Sequence, residues 1–168
     1  MSSSPAPALA LRPAVPADVT ALADLFWASL SAHPAYISHS EIQTGIALDS
    51  GVPAPDGRTK WERYLLGKIT GPHSRVLIAE GAQSPAGFVV LSLNTDYERS
   101  FGVIDDLLVA APARGSGLGR ELLEAGIAWL RRQGARDIYL ESGVENHGAH
   151  AFFGRQGFRC ISHMFKLV

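Results

Sequence analysis

The sequence predicts an α/β chain of the α+β kind, a mixed and mostly antiparallel central sheet flanked by helices. Three observations carry that prediction. The apolar segments Ser74 to Glu80, Ala86 to Asn94 and Phe101 to Val109 follow one another across short turns, the pattern of antiparallel neighbours. An amphipathic stretch of helical period, about Leu118 to Gln133, then leads to another apolar segment, Asp137 to Ser142, and strands joined through a helix run parallel. Ahead of the sheet, Val19, Leu22, Leu25, Phe26 and Leu30 recur at helical spacing behind Pro16-Ala17-Asp18, a helix start.

Taken in order, Leu9 to Pro13 is expected as a first strand, followed by that helix. Ser31 to Thr59 is interrupted by Pro34, Gly51, Pro53 and Pro55, so it reads as a loop with a short helix around Glu41 to Leu48. A second helix follows from about Thr59 to Lys68. The interrupted stretch is long for a connection in a compact domain, which makes it either a wall of a substrate site or an ordinary surface link. Gly81, Ser84 and Pro85 turn the first strand pair into a hairpin. The crossover helix points Leu122, Leu123, Ile127, Trp129 and Leu130 at a core, carries Arg131 and Arg132 near its C-terminus, and stops at Gly134. His147 to Gln156 is a short helix ended by Gly157, and Phe158 to Val168 is a final strand pair or a long bent strand.

Composition narrows the class. With 168 residues and 46% hydrophobic content, a single domain over residues 9–168 with a proper core is expected, behind a Ser/Pro/Ala tail over residues 1–8. The formal charge of -1 lacks the basic excess that binds nucleic acid or an anionic membrane, so a small-molecule partner fits better. No apolar run approaches the roughly 20 residues of a membrane span, and the first residues lack the makings of a signal peptide. A cytoplasmic location is expected, with a homodimer as one option. The single cysteine excludes an internal disulfide, and the four histidines other than His147 and His150 are scattered without ligand spacing, so no metal is expected.

The most informative stretch runs from Val103 to Arg120. Branched apolar residues make Val103 to Val109 a strand covered on both faces, interrupted by the carboxylates Asp105 and Asp106. Pro112 ends it, and Arg114, Gly115, Ser116, Gly117, Leu118, Gly119 and Arg120 lead into the crossover helix. The first N–H groups of a helix have no internal partner and sit at the positive end of its dipole, so a bare glycine entry invites a phosphate. No Lys follows these glycines as a P-loop requires. A dinucleotide fingerprint fails too, because Arg120 or Leu122 falls where its last glycine belongs.

Arg-x-x-Gly-x-Gly behind Ile-Asp-Asp-Leu-Leu-Val resembles the pyrophosphate loop of the GNAT superfamily of acyl-CoA-dependent N-acetyltransferases. Further matches stand in that family's order: Asn146, Ala149, Phe152, Phe153, Arg155, Gly157 and Phe158 resemble its later signature, and Leu11-Arg12-Pro13-Ala14 with Asp18 resembles its first strand and helix start. The resemblance implies a GNAT-like sheet with a parallel, splayed strand pair, acetyl-CoA as acyl donor, and a small-molecule or peptide amine as acceptor. It also implies that backbone N–H groups from Gly115 to Arg120, with the Arg114 or Arg120 side chain, hold the pyrophosphate. The main chain of Leu107, Leu108 and Val109 would meet the pantetheine arm, with the Val109 N–H near the thioester oxygen. Asn146 is either a pantetheine contact or a helix N-cap.

Acidic residues near the Asp105 position act as the base in several members. A carboxylate in so apolar a strand is costly to bury, and burial moves its pKa towards the range useful for a base. Strand alternation puts Asp105 and Asp106 on opposite faces; Asp105 is the expected base, Asp106 the alternative, and an ion pair or a cap is the plain structural role for either. Phe153 stands where the family usually has a tyrosine that protonates the leaving thiolate, and phenylalanine has no proton to give. His150, Tyr139 or water would have to substitute, unless a thiol of pKa ~8.5 leaves unaided. Cys160 is expected as a buried thiol, which favours direct attack over an acyl-enzyme. The acceptor walls are expected at 33–61, with Tyr36, His39 and Trp61, and at 94–101, where Asp96 and Glu98 mildly favour a cation. A sensor that binds acyl-CoA without chemistry is the alternative function, and Phe153 is its main support.

Overall fold

The computed structural model describes residues 9–167, so the expected tail over 1–8 lies outside the described residues, as does Val168. Strand β1 (Leu11–Pro13) leads through a single turn to helix α1 (Val19–Ala32); helices α2 (His39–Gln43) and α3 (Gly57–Thr70) precede β2 (Ser74–Ala79), β3 (Gly87–Asn94) and β4 (Phe101–Val109). Helix α4 (Leu118–Arg132) crosses to β5 (Asp137–Leu140), and α5 (His147–Arg155) follows. The sheet order is β1-β2-β3-β4-β5, antiparallel throughout except for the parallel pair β4 and β5. This is the mixed, mostly antiparallel sheet that the strand spacing predicts.

Both faces of the sheet are covered, because alternate residues of β2 and β3 feed two cores. On one face Leu22, Phe26 and Leu30 of α1 and Trp61 and Leu65 of α3 pack on Val76, Ile78, Phe88 and Val90. Phe26 and Trp61 stack at 4.2 Å with their planes 8° apart. On the other face Leu122, Leu123 and Leu130 of α4 pack on Val89, Leu91 and Ile104. Helix α4 lies close because Gly102 has no side chain: a Cβ there would come within 2.7 Å of Leu130. Arg12 donates to both carboxylate oxygens of Asp18 at 2.8 and 2.9 Å, tying β1 to the start of α1 and holding the Asp18 carboxyl below its ordinary pKa.

Two expectations are corrected. Residues 158–167 form no strand, and Ile161, Met164, Phe165 and Leu167 are exposed. Their apolar spacing suits a strand, but a strand needs a hydrogen-bonding neighbour, and the outer edge of β5 has none among the described residues. Cys160, read as buried, is exposed and directs its thiol to the Ser162 carbonyl at 3.3 Å. The stretch between α1 and α3 folds as a short helix and a turn. Ser38 caps α2 and Glu41 returns the bond to the Ser38 N–H, while Ala47 bridges to Pro53.

Candidate active site

Strand β5 pairs with β4 only over Phe101 to Ile104. From Asp105 to Val109 that edge of β4 has no strand beside it among the described residues, and it opens into a cleft of about 790 Å³. The cleft runs from the entry of α4 past β4 to a chamber under α1, α2 and α3. Leu107, Leu108 and Val109 line its middle, and the Val109 carbonyl accepts from Arg114 Nε at 3.3 Å.

The α4 entry has the geometry an anion requires. Gly115 and Gly117 adopt left-handed backbone, with φ of 78° and 93°, and a Cβ on either would meet nothing within 4 Å. Ser116 Oγ accepts from the Leu118 N–H, while the N–H groups of Gly115, Gly117 and Gly119 have no backbone acceptor among the described residues. These donors at the positive end of α4 suit an anion such as a phosphate. Arg114 is exposed at the rim, and Arg120 pairs with Glu124 at 2.7 Å.

The two aspartates do not alternate as expected. The register of β3 against β4 slips between Val90 and Leu91, pairing Val90 with Asp106 and Leu91 with Ile104, so Asp105 is the extra residue of a bulge. Both carboxylates therefore face α3. Lys68 Nζ lies 2.9 Å from Asp105 Oδ2, which Ser92 Oγ also contacts, and Tyr64 donates to Asp106 Oδ2 at 3.1 Å. Burial, then the charges of Glu41 and Asp105, push the Asp106 carboxyl up to about 7, against the opposing pull of Tyr64 and Lys68. Burial, followed by the charge of Asp106, raises Tyr64 well above its ordinary range, so it donates as a neutral phenol. Asp105 is the ion-paired carboxylate, and Asp106 is the one poised to exchange a proton near neutrality.

The remaining candidates divide. Asn146 accepts from the Ala149 N–H at 3.2 Å, capping α5 while lining the cleft. Phe153 also lines it, packed edge-on between Phe152 and Phe158. His150 is exposed, sits edge-on to His147 and lies outside the cleft lining. Of the expected acceptor walls, 33–61 contributes Tyr36, Glu41, Ile46 and Trp61, whereas 94–101 contributes nothing: Tyr97 is exposed there and Arg99 pairs with Asp137. His39 is engaged by Glu141, which ties α2 to the end of β5. Tyr64, Lys68 and Glu41 had not been singled out in the sequence. Their signal was a tyrosine and a lysine at positions 64 and 68, on the same helical stripe as the buried Trp61 and Leu65.

Among the described residues no cluster of three or more His, Cys, Asp or Glu stands ready for a metal, and no helix is long and apolar enough to cross a membrane. A profile of the acetyltransferase (GNAT) family matches residues 40–158. An uncharacterized N-acetyltransferase of Methanocaldococcus jannaschii is 30% identical over 105 residues, 60% of this chain and 46% of that protein. The aminoglycoside N(6')-acetyltransferase type 1 of Stenotrophomonas maltophilia is 36% identical over 77 residues, 43% of this chain and 50% of that protein. The chain thus spans about half the length of the curated relatives it matches. In three dimensions, a tetramutant of the BH1408 protein from Bacillus halodurans superposes with a TM-score of 0.73 at 22% identity, over 95% of this chain and 99% of that one, a likeness of fold.

Proposed function

Because the chain belongs to the GNAT acetyltransferase family, we propose that it moves an acetyl group from acetyl-CoA to a primary amine of a small molecule or peptide by direct attack in a ternary complex, with Asp106 as general base. The observation that carries this reading is one cleft holding both an anion-ready helix entry and a carboxylate with a pKa of about 7. At the donor end, the backbone N–H groups of Gly115, Gly117 and Gly119 hold the pyrophosphate, Arg114 adds charge, and the open edge of β4 aligns the pantetheine arm. Acetyl-CoA supplies a thioester whose C–S bond breaks as the amine nitrogen bonds to the carbonyl carbon, leaving an amide and the CoA thiol.

Asp106 accepts the proton that the ammonium must lose before attack and returns it to solvent, and the second proton, lost by the nitrogen as the C–S bond breaks, balances the one the thiolate takes up. Phe153 donates nothing, so the thiolate takes its proton from water or from the acid form of Asp106; a thiol of pKa ~8.5 leaves tolerably without a dedicated acid. Cys160 lies outside the cleft lining, which agrees with direct attack in place of an acyl-enzyme. Asp106, the alternative to the expected Asp105, is taken as the base because Lys68 is ion-paired with Asp105.

Phe153 also supports a second reading, an acyl-CoA sensor without chemistry. Following CoA thiol release against a panel of amines separates the two. Release that depends on amine and on Asp106 is the expected result, and tight acetyl-CoA binding without release from any amine would overturn it.

A further inference from the structure

Residues 158–167 have the pattern of a strand and pair with none in their own copy. In an extended chain Ile161, Phe165 and Leu167 share one face while Ser162 and Lys166 take the other, the alternation of a half-buried strand. Phe165 is 91% exposed and Leu167 97%, so the apolar face is turned to solvent. The segment also leads away from β5, because Lys166 meets Asp49, in the turn between α2 and α3, at 2.9 Å. Both side chains of that pair are exposed, and such a pair holds a chain only weakly.

The sheet has the matching edge. The outer side of β5 carries no strand among the described residues, and an open edge offers unpaired N–H and C=O groups to any strand that reaches it. Apolar surface continues along it. Tyr139 is exposed and stands edge-on to Phe101 at 5.6 Å, Phe101 lies 5.3 Å from the exposed Tyr97, and Val144 is exposed just past the end of β5. Charge favours the same pairing: Asp137, Glu141 and Glu145 mark the edge, whereas 158–167 holds Arg159 and Lys166 and no acid.

We propose that two copies of this chain form a dimer by exchange, residues 158–167 of each adding as a strand to the outer edge of the partner subunit's β5. Each copy carries both the strand and the edge, so a two-fold axis makes the exchange reciprocal and the contact closes at two chains. The apolar face of the segment is covered by the strip around Tyr139 and Val144, and the edge gains its ladder. Segment and edge together give each copy roughly twenty contacting residues, the size of a specific interface.

Sedimentation velocity on the full chain reads the oligomeric state, and a dimer is the expected result. Phe165→Asp places a charge on the apolar face of the segment, and Tyr139→Lys places one on the edge; each should weaken dimerisation about tenfold or more. Both side chains are exposed, so both variants should fold, which circular dichroism checks. Cys160 is the single cysteine and is exposed, so a nitroxide attached to it marks the segment. When chains bearing the nitroxide are mixed with isotope-labelled Cys160→Ser chains, the amide NMR signals of 137–140 in the labelled copies should broaden. A monomer, or a dimer that neither variant weakens, would overturn the proposal. Broadening of 137–140 only by a nitroxide on the same chain would overturn it as well, since the segment would then close on its own β5.

Discussion

Asp105 and Asp106 are consecutive residues whose carboxylates face the same helix, Asp105 held by Lys68 Nζ at 2.9 Å and Asp106 by the Tyr64 hydroxyl at 3.1 Å. A strand places successive side chains on opposite faces, so only the bulge at Asp105 allows this. The arrangement separates two like groups by environment: one is neutralised by a cation, and the other is left partly buried among negative charges with a neutral donor. Different environments give adjacent carboxylates different work.

Asp106→Asn should therefore lower kcat/KM for the amine by roughly 10²-fold or more while acetyl-CoA affinity changes little. In the parent protein the base is active when ionised, so kcat/KM should fall about tenfold per pH unit below the Asp106 pKa of about 7, and that acid limb should vanish in the variant. Rate measurements from pH 5 to 9 check both statements. A limb that persists in Asp106→Asn would remove Asp106 from the mechanism.

The neighbours of Asp106 should move the limb in opposite directions. Lys68 favours the ionised carboxylate, so Lys68→Met should shift the limb to higher pH. Asp105 disfavours it, so Asp105→Asn should shift the limb to lower pH while retaining most of the plateau rate. If Asp105 were itself the base, its variant would lose the plateau instead, and pH profiles of the two variants side by side distinguish the cases.

Gly119 offers the cleanest test of the anion grip. Gly117 sits at a φ of 93°, where any side chain strains the backbone, so its variants confound folding with binding. Gly119 lies within α4, and a Cβ there would touch Val109 at 3.5 Å and Phe152 at 3.6 Å, ordinary contact distances. Gly119→Ala should fold and bind CoA with a modest loss, while Gly119→Asp should fold and lose CoA binding by about 10²-fold or more through charge repulsion at the helix entry. Calorimetric titration with CoA gives the affinities, and circular dichroism confirms the fold.

The order of helices and strands was readable because each element announces itself locally: helical spacing in α1 and α4, apolar runs in β2 to β4, glycines at the entry of α4. The facing of Asp105 was not, since a bulge is a mismatch between two strands and neither strand carries it alone. The stripe that carries Tyr64 and Lys68 is legible in α3, but their meeting with the two aspartates comes from the packing of α3 on the sheet, and Glu41 lines the cleft from α2. The end of the chain illustrates the reverse failure. Ile161, Phe165 and Leu167 have the spacing of a strand, but spacing cannot supply the neighbouring edge that would make it one.

Phe153 bears on the last step of the proposed reaction, the departure of the thiolate. Its ring lines the cleft and packs edge-on at 5.2 Å from Phe152 and 5.9 Å from Phe158, so a tyrosine in its place would keep both contacts and add a hydroxyl at the ring tip. If protonation of the leaving group limits the rate, that hydroxyl should raise kcat, by up to the roughly 10²-fold typical of a positioned acid, and introduce an alkaline limb as it ionises near pH ~10. If proton removal by Asp106 or release of product limits the rate, Phe153→Tyr should leave kcat and the acid limb unchanged. In either case acetyl-CoA affinity should hold, because the packing is conserved. A large loss of kcat with unchanged acetyl-CoA affinity would mean that the apolar face of Phe153 itself matters to the reacting thioester, and that the thiolate departs without an acid because its surroundings are kept dry.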